Sequence, residues 1–380
     1  MTLSPVRSAD SRRMANVEAA IAAIARGGMV IVVDDPDREN EGDLVAAAEL
    51  VTPETIKFMA THGRGLICCP VPAGHLDRLG IPPMSGGAGD RFGTAFHVGV
   101  DHKDAGTGIS AADRALVIRA LADPHSQPAD FRQPGHVFPL AGRPHGVLQR
   151  TGHTEASMDL ARLAGLSPAA VICEIAGPDG DMARPPALVE LATKHDIPLI
   201  SIADLITYRR TREQWVDRVI ETRLPLAAGQ FRAIGYRDRV NGAEHLALVH
   251  GDLDATPNPL VRIHAECVTG DALGSLRCDC RRRLHLALDR IGAAPAGVVV
   301  YLRGHEGRGI GVADEVDRRD HGVGAQILRD LGVHQLRLLS DNPDQYHALS
   351  AYGLAPVERV PLIPTGTGSS VVERLGHLAG

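Results

Sequence analysis

The chain has 380 residues, which at about 150 residues per domain predicts two or three domains. Its 46 acidic and 40 basic side chains give a formal charge of −6, which argues against a nucleic-acid-binding protein because such proteins carry a basic surface. No apolar run approaches the ~20 residues of a membrane-spanning helix, and residues 1–15 lack an apolar signal segment. The 6 cysteines are too few for a disulfide scaffold. We therefore expect a cytoplasmic protein that contacts neither nucleic acid nor membrane.

Predicted strands and helices alternate along the chain. Short apolar, mostly β-branched runs predict strands at 29–33, 171–175, 198–202, 230–234, 298–302 and 335–339. Apolar residues spaced by three and four predict helices at 111–122, 154–164 and 326–331. A charged stretch at 207–223 separates two halves, 1–210 and 211–380, and residues after 363 resemble a loose tail. The predicted fold class is α+β, with two mixed α/β domains in tandem.

An acidic segment follows the first predicted strand. Residues 34–43 contain six carboxylates and one arginine. Their repulsion favours a bound cation, and Mg²⁺ prefers oxygen ligands, among which one or two are often carboxylates. A solvated acidic loop is the alternative interpretation.

A second polar segment, RTGHTE at 150–155, directly precedes a predicted helix. The free N–H groups of a helix N-terminus, together with Arg150 and two threonines, are suited to binding a phosphate. An ordinary helix cap with exposed neighbours is the alternative.

Five motifs in the first half have the order and spacing of one enzyme family. They are DRENEGD at 37–43, GLIC at 65–68, TGISAADR at 107–114, GHVFPL at 135–140 and HTEA at 153–156. Over residues 15–208 the chain resembles 3,4-dihydroxy-2-butanone 4-phosphate synthase, an early enzyme of riboflavin biosynthesis. The resemblance implies conversion of D-ribulose 5-phosphate to 3,4-dihydroxy-2-butanone 4-phosphate and formate, with Mg²⁺ or Mn²⁺ as the metal.

Matching positions assign roles to individual residues. The resemblance implies that Glu39 and His153 bind the metal, and that His136 and Glu174 are catalytic, Glu174 in acid–base chemistry. The substrate-binding residues that it implies are Arg38, Glu39, Asp43, Thr107, Arg150, Thr151, Gly152, His153, Thr154 and Glu174. Loss of a proton beside a ketone leaves an enediolate, whose charge a divalent metal stabilises while carboxylates transfer protons. Cys68 also matches a cysteine near the substrate, with packing in the core as the alternative.

Three cysteines in the second half have the spacing of a metal site. Cys267, Cys278 and Cys280 would leave the fourth tetrahedral position of a zinc ion open, as in catalytic zinc sites. A structural zinc with a fourth ligand is one alternative, and a disulfide is another that a reducing cytoplasm disfavours.

The second half resembles GTP cyclohydrolase II over residues 223–362. The matching motifs are SLRCDC at 275–280, LRGHEGRGIG at 302–311 and GAQILRDLGV at 324–333. The resemblance implies a zinc-bound water, with Asp317 as the proton acceptor and Arg319 as the nucleophile that attacks the α-phosphate. The implied GTP contacts are Arg262, Ile263, His264, Ala265, Glu266, Arg283, Glu306, Gly307, Arg308, Ser340 and Gln345. Fusion of the two domains in this order resembles a bifunctional riboflavin enzyme, for which we expect a homodimer acting on small molecules.

Several departures from the second family predict an impaired domain. Only residues 312–316 separate Gly311 from Asp317, where the family has a long stretch that contacts GTP. Arg283 replaces a glutamine, and SDNPDQ at 340–345 replaces a segment like TNNPKK, so that a phosphate-binding lysine is lost at Gln345. We expect zinc to be retained and GTP hydrolysis to be impaired. The alternatives are a fully bifunctional enzyme and a zinc-stabilised dimerisation or regulatory module.

Overall fold

The computed structural model describes the backbone of residues 5–84, 91–304, 318–341, 349 and 352–362, and their side chains except at 5–12 and 318–321. The chain divides into two compact units, Met1–Arg209 and Arg210–Gly380. Among the described residues each unit contains one mixed seven-stranded sheet, which confirms the predicted fold class. No helix among the described residues is long and apolar enough to cross a membrane.

The first unit is a three-layer α/β/α domain. Its strands are β1 (Met29–Val33), β2 (Gly42–Ala47), β3 (Cys68–Pro72), β4 (Val100–His102), β5 (Phe131–Gly142), β6 (Ala170–Glu174) and β7 (Leu199–Ser201). Their order in the sheet is β4-β5-β3-β6-β2-β1-β7. The β3–β5 and β1–β7 pairs are parallel, and the other pairs are antiparallel. The helices that begin in this unit are α1 (Pro5–Ala25), α2 (Pro53–Phe58), α3 (Ala73–Leu79), α4 (Ala111–Ala122), α5 (His153–Leu163), α6 (Pro185–His195) and α7 (Ile202–Arg212).

Alternating side chains of the central strands supply two hydrophobic cores. On β1, Val30 and Val32 pack with α1, α5 and α7, whereas Ile31 packs on the opposite face with α2, α4 and α6. A strand covered on both faces is expected to be a continuous apolar run, as the MVIVV sequence of β1 is. The sheet therefore fixes the strand ends from which the polar loops project.

The second unit has the same layered construction. Its strands are β8 (Val216–Leu226), β9 (Gly229–Asp238), β10 (Glu244–Gly251), β11 (Leu260–Ala265), β12 (Ala296–Leu302), β13 (Gln335–Leu339) and β14 (Ala355–Val360), in the sheet order β14-β13-β11-β12-β10-β9-β8. Its described helices are α8 (Cys280–Gly292) and α9 (Arg318–Asp330). Val298 and Val300 of β12 belong to the core beneath α9, whereas Val299 belongs to the core beneath α8.

The predicted elements agree with the structure in type, and the ends of some of them differ. The strands predicted at 29–33 and 335–339 coincide with β1 and β13, and the helix at 111–122 coincides with α4. The helix predicted at 326–331 is much longer, since α9 extends back to Arg318. The charged stretch at 207–223 is largely regular structure, formed by the end of α7 and most of β8.

Candidate active site

The acidic segment between β1 and β2 is folded around a buried carboxylate, that of Asp34. Its Oδ2 accepts bonds from Arg38 Nη1 at 2.9 Å and from the Glu39 amide at 3.1 Å, and its Oδ1 accepts the Glu41 amide at 2.8 Å. Arg38 Nη1 also donates to Glu39. The segment is therefore an ordered loop, and only Asp35 and Asp37 among its carboxylates are exposed.

Asp34, Glu39 and His153 form a group suited to a metal ion. One potential ligand atom from each lies within 4.8 Å of the others. His153 is the first residue of α5, and its Nδ1 lies 3.6 Å from Glu39 Oε2 and 3.8 Å from Asp43 Oδ1. Among the described residues, no hydrogen-bond partner reaches the buried His153 Nε2 or Asp43 Oδ1. Unpartnered buried polar atoms are costly, so these fit a site completed by a hard cation or substrate oxygens.

Burial and neighbouring charges shift the pKa values of Asp43, His153 and Glu39. Burial raises the pKa of Asp43 to about 7, with the positive charge of His153 opposing this effect and the negative charge of Glu174 adding to it. Burial lowers the pKa of His153, but the carboxylates of Asp43, Glu39 and Asp34 outweigh it and raise the pKa to about 9. Burial also acts to raise the pKa of Glu39, yet His153 and Arg38 leave it below its ordinary value. The surrounding carboxylates therefore favour the protonated form of His153 when no metal is bound.

Glu174 lies beside this group at the end of β6. It is the direct partner of Asp43 in the antiparallel β2–β6 pair, and its Oε2 accepts the Leu66 amide at 2.8 Å. A side chain at Gly65 would collide with the Glu174 carboxylate, so this glycine allows the close approach. The register of the sheet therefore holds Glu174, a candidate catalytic residue, opposite Asp43, a candidate substrate-binding residue.

His136 forms a separate pair with Asp101. Its Nδ1 lies 2.9 Å from Asp101 Oδ2, and its backbone amide donates to Asp101 Oδ1 at 3.0 Å. Within the described residues, no hydrogen bond or ion pair joins His136 to the metal-ligand group, because β3 and β6 separate its strand β5 from β2. Thr107 is exposed in a loop that the Asp113 carboxylate holds through the amides of Gly106 and Gly108.

The segment before α5 differs in detail from the predicted phosphate site. Arg150 Nη1 donates to buried Glu155 Oε2 at 2.6 Å, so this arginine is anchored in the protein. Thr151 is exposed, Gly152 is the N-cap residue without a capping side chain, and Thr154 is buried in the first turn of α5. The N-terminal turn of α5 begins at His153, the residue that also belongs to the group suited to a metal ion.

Cys68 and Cys69 are buried in β3. Burial, reinforced by the charges of Glu174 and Asp43, raises the pKa of the Cys68 thiol far above neutral. The geometry supports the packing interpretation of Cys68, since a protonated, buried thiol is unreactive.

The three cysteines of the second unit converge, and all are reduced. The ligand atoms of Cys267, Cys278 and Cys280 lie within 4.8 Å of one another, with the sulfurs of Cys267 and Cys278 3.7 Å apart. Thiolates bound tetrahedrally at a Zn–S distance of 2.3 Å would lie roughly 3.7 Å apart. A Cβ at Gly270 would stand 2.6 Å from Cys278 Sγ, so a glycine is required for this convergence. The donor set therefore fits zinc.

Asp271 organises the surroundings of the cysteines. It accepts the Cys267 amide at 2.9 Å, the Tyr301 hydroxyl at 2.9 Å and His264 Nε2 at 3.1 Å. His264, on β11, stacks on the Tyr301 ring. Such outer contacts orient the ligands of metal sites.

Some of the predicted GTP contacts in the described part of the chain belong to a network of charged side chains. Buried Arg262 Nη1 donates to the Leu339 carbonyl at 3.1 Å, and burial followed by the charge of Arg283 lowers its pKa to about 10. Arg283 Nε donates to Asp279 at 2.7 Å, and its Nη1 lies 3.5 Å from Asp341. Of the remaining contacts, Ile263 is a core residue, Ala265 ends β11, Glu266 Oε2 accepts the Gly304 amide and Ser340 is buried.

Part of the second predicted site lies outside the described residues. This applies to Asp317, Glu306, Gly307, Arg308, Gln345 and residues 312–316, to the predicted tail after 363, and to the side chain of Arg319, whose backbone is in α9.

Sequence reasoning missed several residues of these sites. Asp34 opens the acidic segment but was not singled out as a ligand, and Asp101 gave no signal because its pairing with His136 is made through the sheet. Glu155, which anchors Arg150, and Asp271 were equally unmarked.

Two family models match the chain, one per unit. The model described as 3,4-dihydroxy-2-butanone 4-phosphate synthase matches residues 18–208, and that of GTP cyclohydrolase II matches residues 217–361. Both resemblances seen in the motifs are thereby confirmed.

Curated relatives match both domains together. A riboflavin biosynthesis protein RibBA from Aquifex aeolicus is 51% identical over 372 residues, covering 91% of this chain and 92% of the relative. A RibBA from Bacillus cereus strain B4264 is 47% identical over 391 residues, covering 95% of this chain and 98% of the relative.

Two solved structures are also similar. RibBX from A. baumannii, described as a two-domain 3,4-dihydroxy-2-butanone 4-phosphate synthase, is 42% identical with a TM-score of 0.71, covering 90% of this chain and 98% of that chain. A 3,4-dihydroxy-2-butanone 4-phosphate synthase in complex with two magnesium ions is 42% identical with a TM-score of 0.50, covering 52% of this chain and 97% of that chain.

Proposed function

Because the chain belongs to the family of riboflavin biosynthesis proteins that join a 3,4-dihydroxy-2-butanone 4-phosphate synthase domain to a GTP cyclohydrolase II domain, we propose that it releases formate from D-ribulose 5-phosphate at the site around Glu39 and His153. The protein is a 3,4-dihydroxy-2-butanone 4-phosphate synthase of riboflavin biosynthesis. The observation that carries the assignment of the site is the convergence of Asp34, Glu39 and His153 within 4.8 Å, beside a buried Asp43 Oδ1 that has no hydrogen-bond partner among the described residues.

Metal binding is assigned to Glu39 and His153, with Asp34 as a further candidate ligand. A bound Mg²⁺ or Mn²⁺ would supply Lewis-acid stabilisation of negative charge that develops on the sugar oxygens. The magnesium in a related solved structure supports this choice of ion.

The protein groups around the site supply proton transfer and phosphate binding. Asp43, with a pKa near 7, can hold or release a proton at neutral pH, and Glu174 stands opposite it on the neighbouring strand. Arg38, Thr154 and the first amides of α5 supply donors for the sugar phosphate. His136 is assigned to catalysis by the motif match, and its pairing with Asp101 fixes the orientation of its ring. The overall reaction balances without water, since the five-carbon phosphate gives a four-carbon phosphate and formate.

For the second domain we propose that Cys267, Cys278 and Cys280 bind zinc and that GTP hydrolysis is impaired. Arg283 supports this proposal, because it forms ion pairs with Asp279 and Asp341. The motif places Arg283 at the GTP site, and these ion pairs hold its positive charge within the protein. The alignment with the B. cereus protein extends over 391 positions, more than the 380 residues of this chain. This chain therefore lacks some residues that the B. cereus protein has. The similar two-domain structure is named only for the synthase activity.

The competing candidate is a fully bifunctional enzyme, which also hydrolyses GTP to a diaminopyrimidine, formate and pyrophosphate. It is favoured by the name RibBA of the curated relatives and by retention of the three cysteines. A zinc-stabilised dimerisation or regulatory role is the third candidate. Such a role predicts that the Cys278→Ser variant changes its sedimentation coefficient or its synthase rate.

One preparation tested with both substrates separates the first two candidates. We expect Mg²⁺-dependent formate release from ribulose 5-phosphate, whereas GTP turnover should be undetectable or about a thousandfold below that of a full-length family member, since losing a positioning segment costs effective molarity. Formate and pyrophosphate release from GTP at about one per minute or faster, abolished by Arg319→Ala, would instead establish the bifunctional enzyme.

A further inference from the structure

Phe92 lies against two arginine side chains of the first domain. The guanidinium carbon of Arg38 is 5.2 Å from the centre of the Phe92 ring, and that of Arg91 is 5.3 Å away. A cation within about 6 Å of a ring centre is attracted by the negative face of the aromatic system. Phe92 is half-buried, so this contact is partly shielded from water.

The backbone of the same residue is held by Arg150. Arg150 Nε and Nη2 donate to the Phe92 carbonyl at 3.2 and 3.1 Å, and Nη2 also donates to Thr94 Oγ1 at 2.9 Å. With the bond from Nη1 to Glu155, these contacts use most of the five N–H donors of a guanidinium. In this structure Arg150 chiefly anchors the segment that carries Phe92.

Arg38 keeps one edge open for a ligand. Both hydrogen bonds that the Arg38 guanidinium makes with described residues are donated by Nη1, one to Asp34 and one to Glu39. Within the part of the chain that the structure describes, Nε and Nη2 donate no bond. Contact with the flat face of a ring leaves these in-plane donors available, and a guanidinium binds phosphate through such an edge.

We propose that Phe92 is a positioning residue, which holds the Arg38 guanidinium in the orientation that binds the sugar phosphate. Arg150 fixes the Phe92 backbone, the Phe92 ring fixes the plane of Arg38, and Asp34 fixes one end of it. The inference rests on the proposed function, because Arg38 is assigned there to the phosphate of ribulose 5-phosphate. Nothing in the proposal requires Phe92 to touch the reacting carbon atoms.

The test compares Phe92→Leu with Phe92→Tyr, which retains the aromatic face. We expect Phe92→Leu to raise KM for ribulose 5-phosphate about three- to thirtyfold with kcat changed less than about twofold, and Phe92→Tyr to restore most of the loss. Phe96→Leu is the matched control, since Phe96 lies in the same segment and is a half-buried side chain that packs against the hydrophobic core. Direct calorimetric binding of ribulose 5-phosphate in EDTA should show the same order of affinities.

An unchanged KM and binding affinity in Phe92→Leu would overturn the proposal, as would a loss in Phe92→Tyr as large as that in Phe92→Leu. An equal loss in Phe96→Leu would show that the segment acts only through packing, which also overturns it. If the wild-type protein binds ribulose 5-phosphate but releases no formate, the proposed function fails, and the calorimetric comparison still decides the role of Phe92.

Discussion

Arg283 of α8 and Asp341, just after β13, form an ion pair in which Arg283 Nη1 lies 3.5 Å from Asp341 Oδ2. The GTP cyclohydrolase II motifs have other residues at these two positions, a glutamine in place of Arg283 and an asparagine in place of Asp341. The other Asp341 oxygen accepts the Leu362 amide at 2.8 Å, which ties the carboxylate to the fold. Asp341 is thus paired with Arg283, the arginine that stands where the motif has a glutamine.

The Arg283–Asp341 pair predicts unequal effects of two charge-removing variants. Arg283 and buried Arg262 repel each other, and Asp341→Asn removes a negative charge that compensates this repulsion. Arg283→Gln removes the repulsion itself. We expect Asp341→Asn to lower the free energy of unfolding of the second domain by about 1–3 kcal/mol and Arg283→Gln to lower it by less. Urea unfolding followed by fluorescence of Trp215, the 1 tryptophan of the chain, measures this. A larger loss in Arg283→Gln would contradict the account.

Removal of either proposed metal ligand should abolish the synthase reaction. We expect Glu39→Gln and His153→Ala to lower Mg²⁺-dependent formate release by several orders of magnitude, because metal stabilisation of developing charge is worth several kcal/mol. Asp37→Asn is the matched control, as Asp37 is an exposed carboxylate of the same loop. Near-normal turnover in either ligand variant, measured by formate production, would refute the metal assignment.

The affinity for Mg²⁺ should rise with pH. The pKa of His153 is about 9 in the metal-free protein, and a metal ligand must be the neutral imidazole, so binding displaces a proton. Below that pKa we expect the affinity to increase about tenfold per pH unit, and above about pH 9 to level off. Calorimetry from pH 7 to 9.5 measures it. A pH-independent affinity over this range would argue that His153 is not a ligand.

The second domain should contain about one zinc per chain. Elemental analysis should show its loss in Cys278→Ser, and also in Gly270→Ala, where the new Cβ would stand 2.6 Å from Cys278 Sγ. Gly74→Ala is the control, because nothing lies within 4 Å of a Cβ there. Zinc binding should contribute to folding, so chelation should lower the unfolding temperature reported by Trp215. Freshly purified protein without zinc would contradict the assignment.

The sequence predicts those parts of the sites that are contiguous in the chain. The acidic segment, the start of α5 and the cysteine spacing each carry local chemistry. The structure brings Glu39 and His153 together, and it also brings the three cysteines together. Contacts made through the sheets were not predictable in this way. The pairing of Asp43 with Glu174 depends on the β2–β6 register, and that of His136 with Asp101 depends on the β4–β5 edge. The contacts of Arg150 with Phe92 and Glu155 were not predictable either, because neither partner has a sequence signature.

Locating the metal itself tests the central claim most directly. Anomalous X-ray diffraction from crystals of the full chain grown with Mn²⁺ would place the ion without reference to activity. We expect a peak within about 2.5 Å of a Glu39 oxygen and a His153 nitrogen, a distance typical of such ligands. A manganese peak elsewhere in the first domain, with none between Glu39 and His153 in protein that releases formate, would contradict the account.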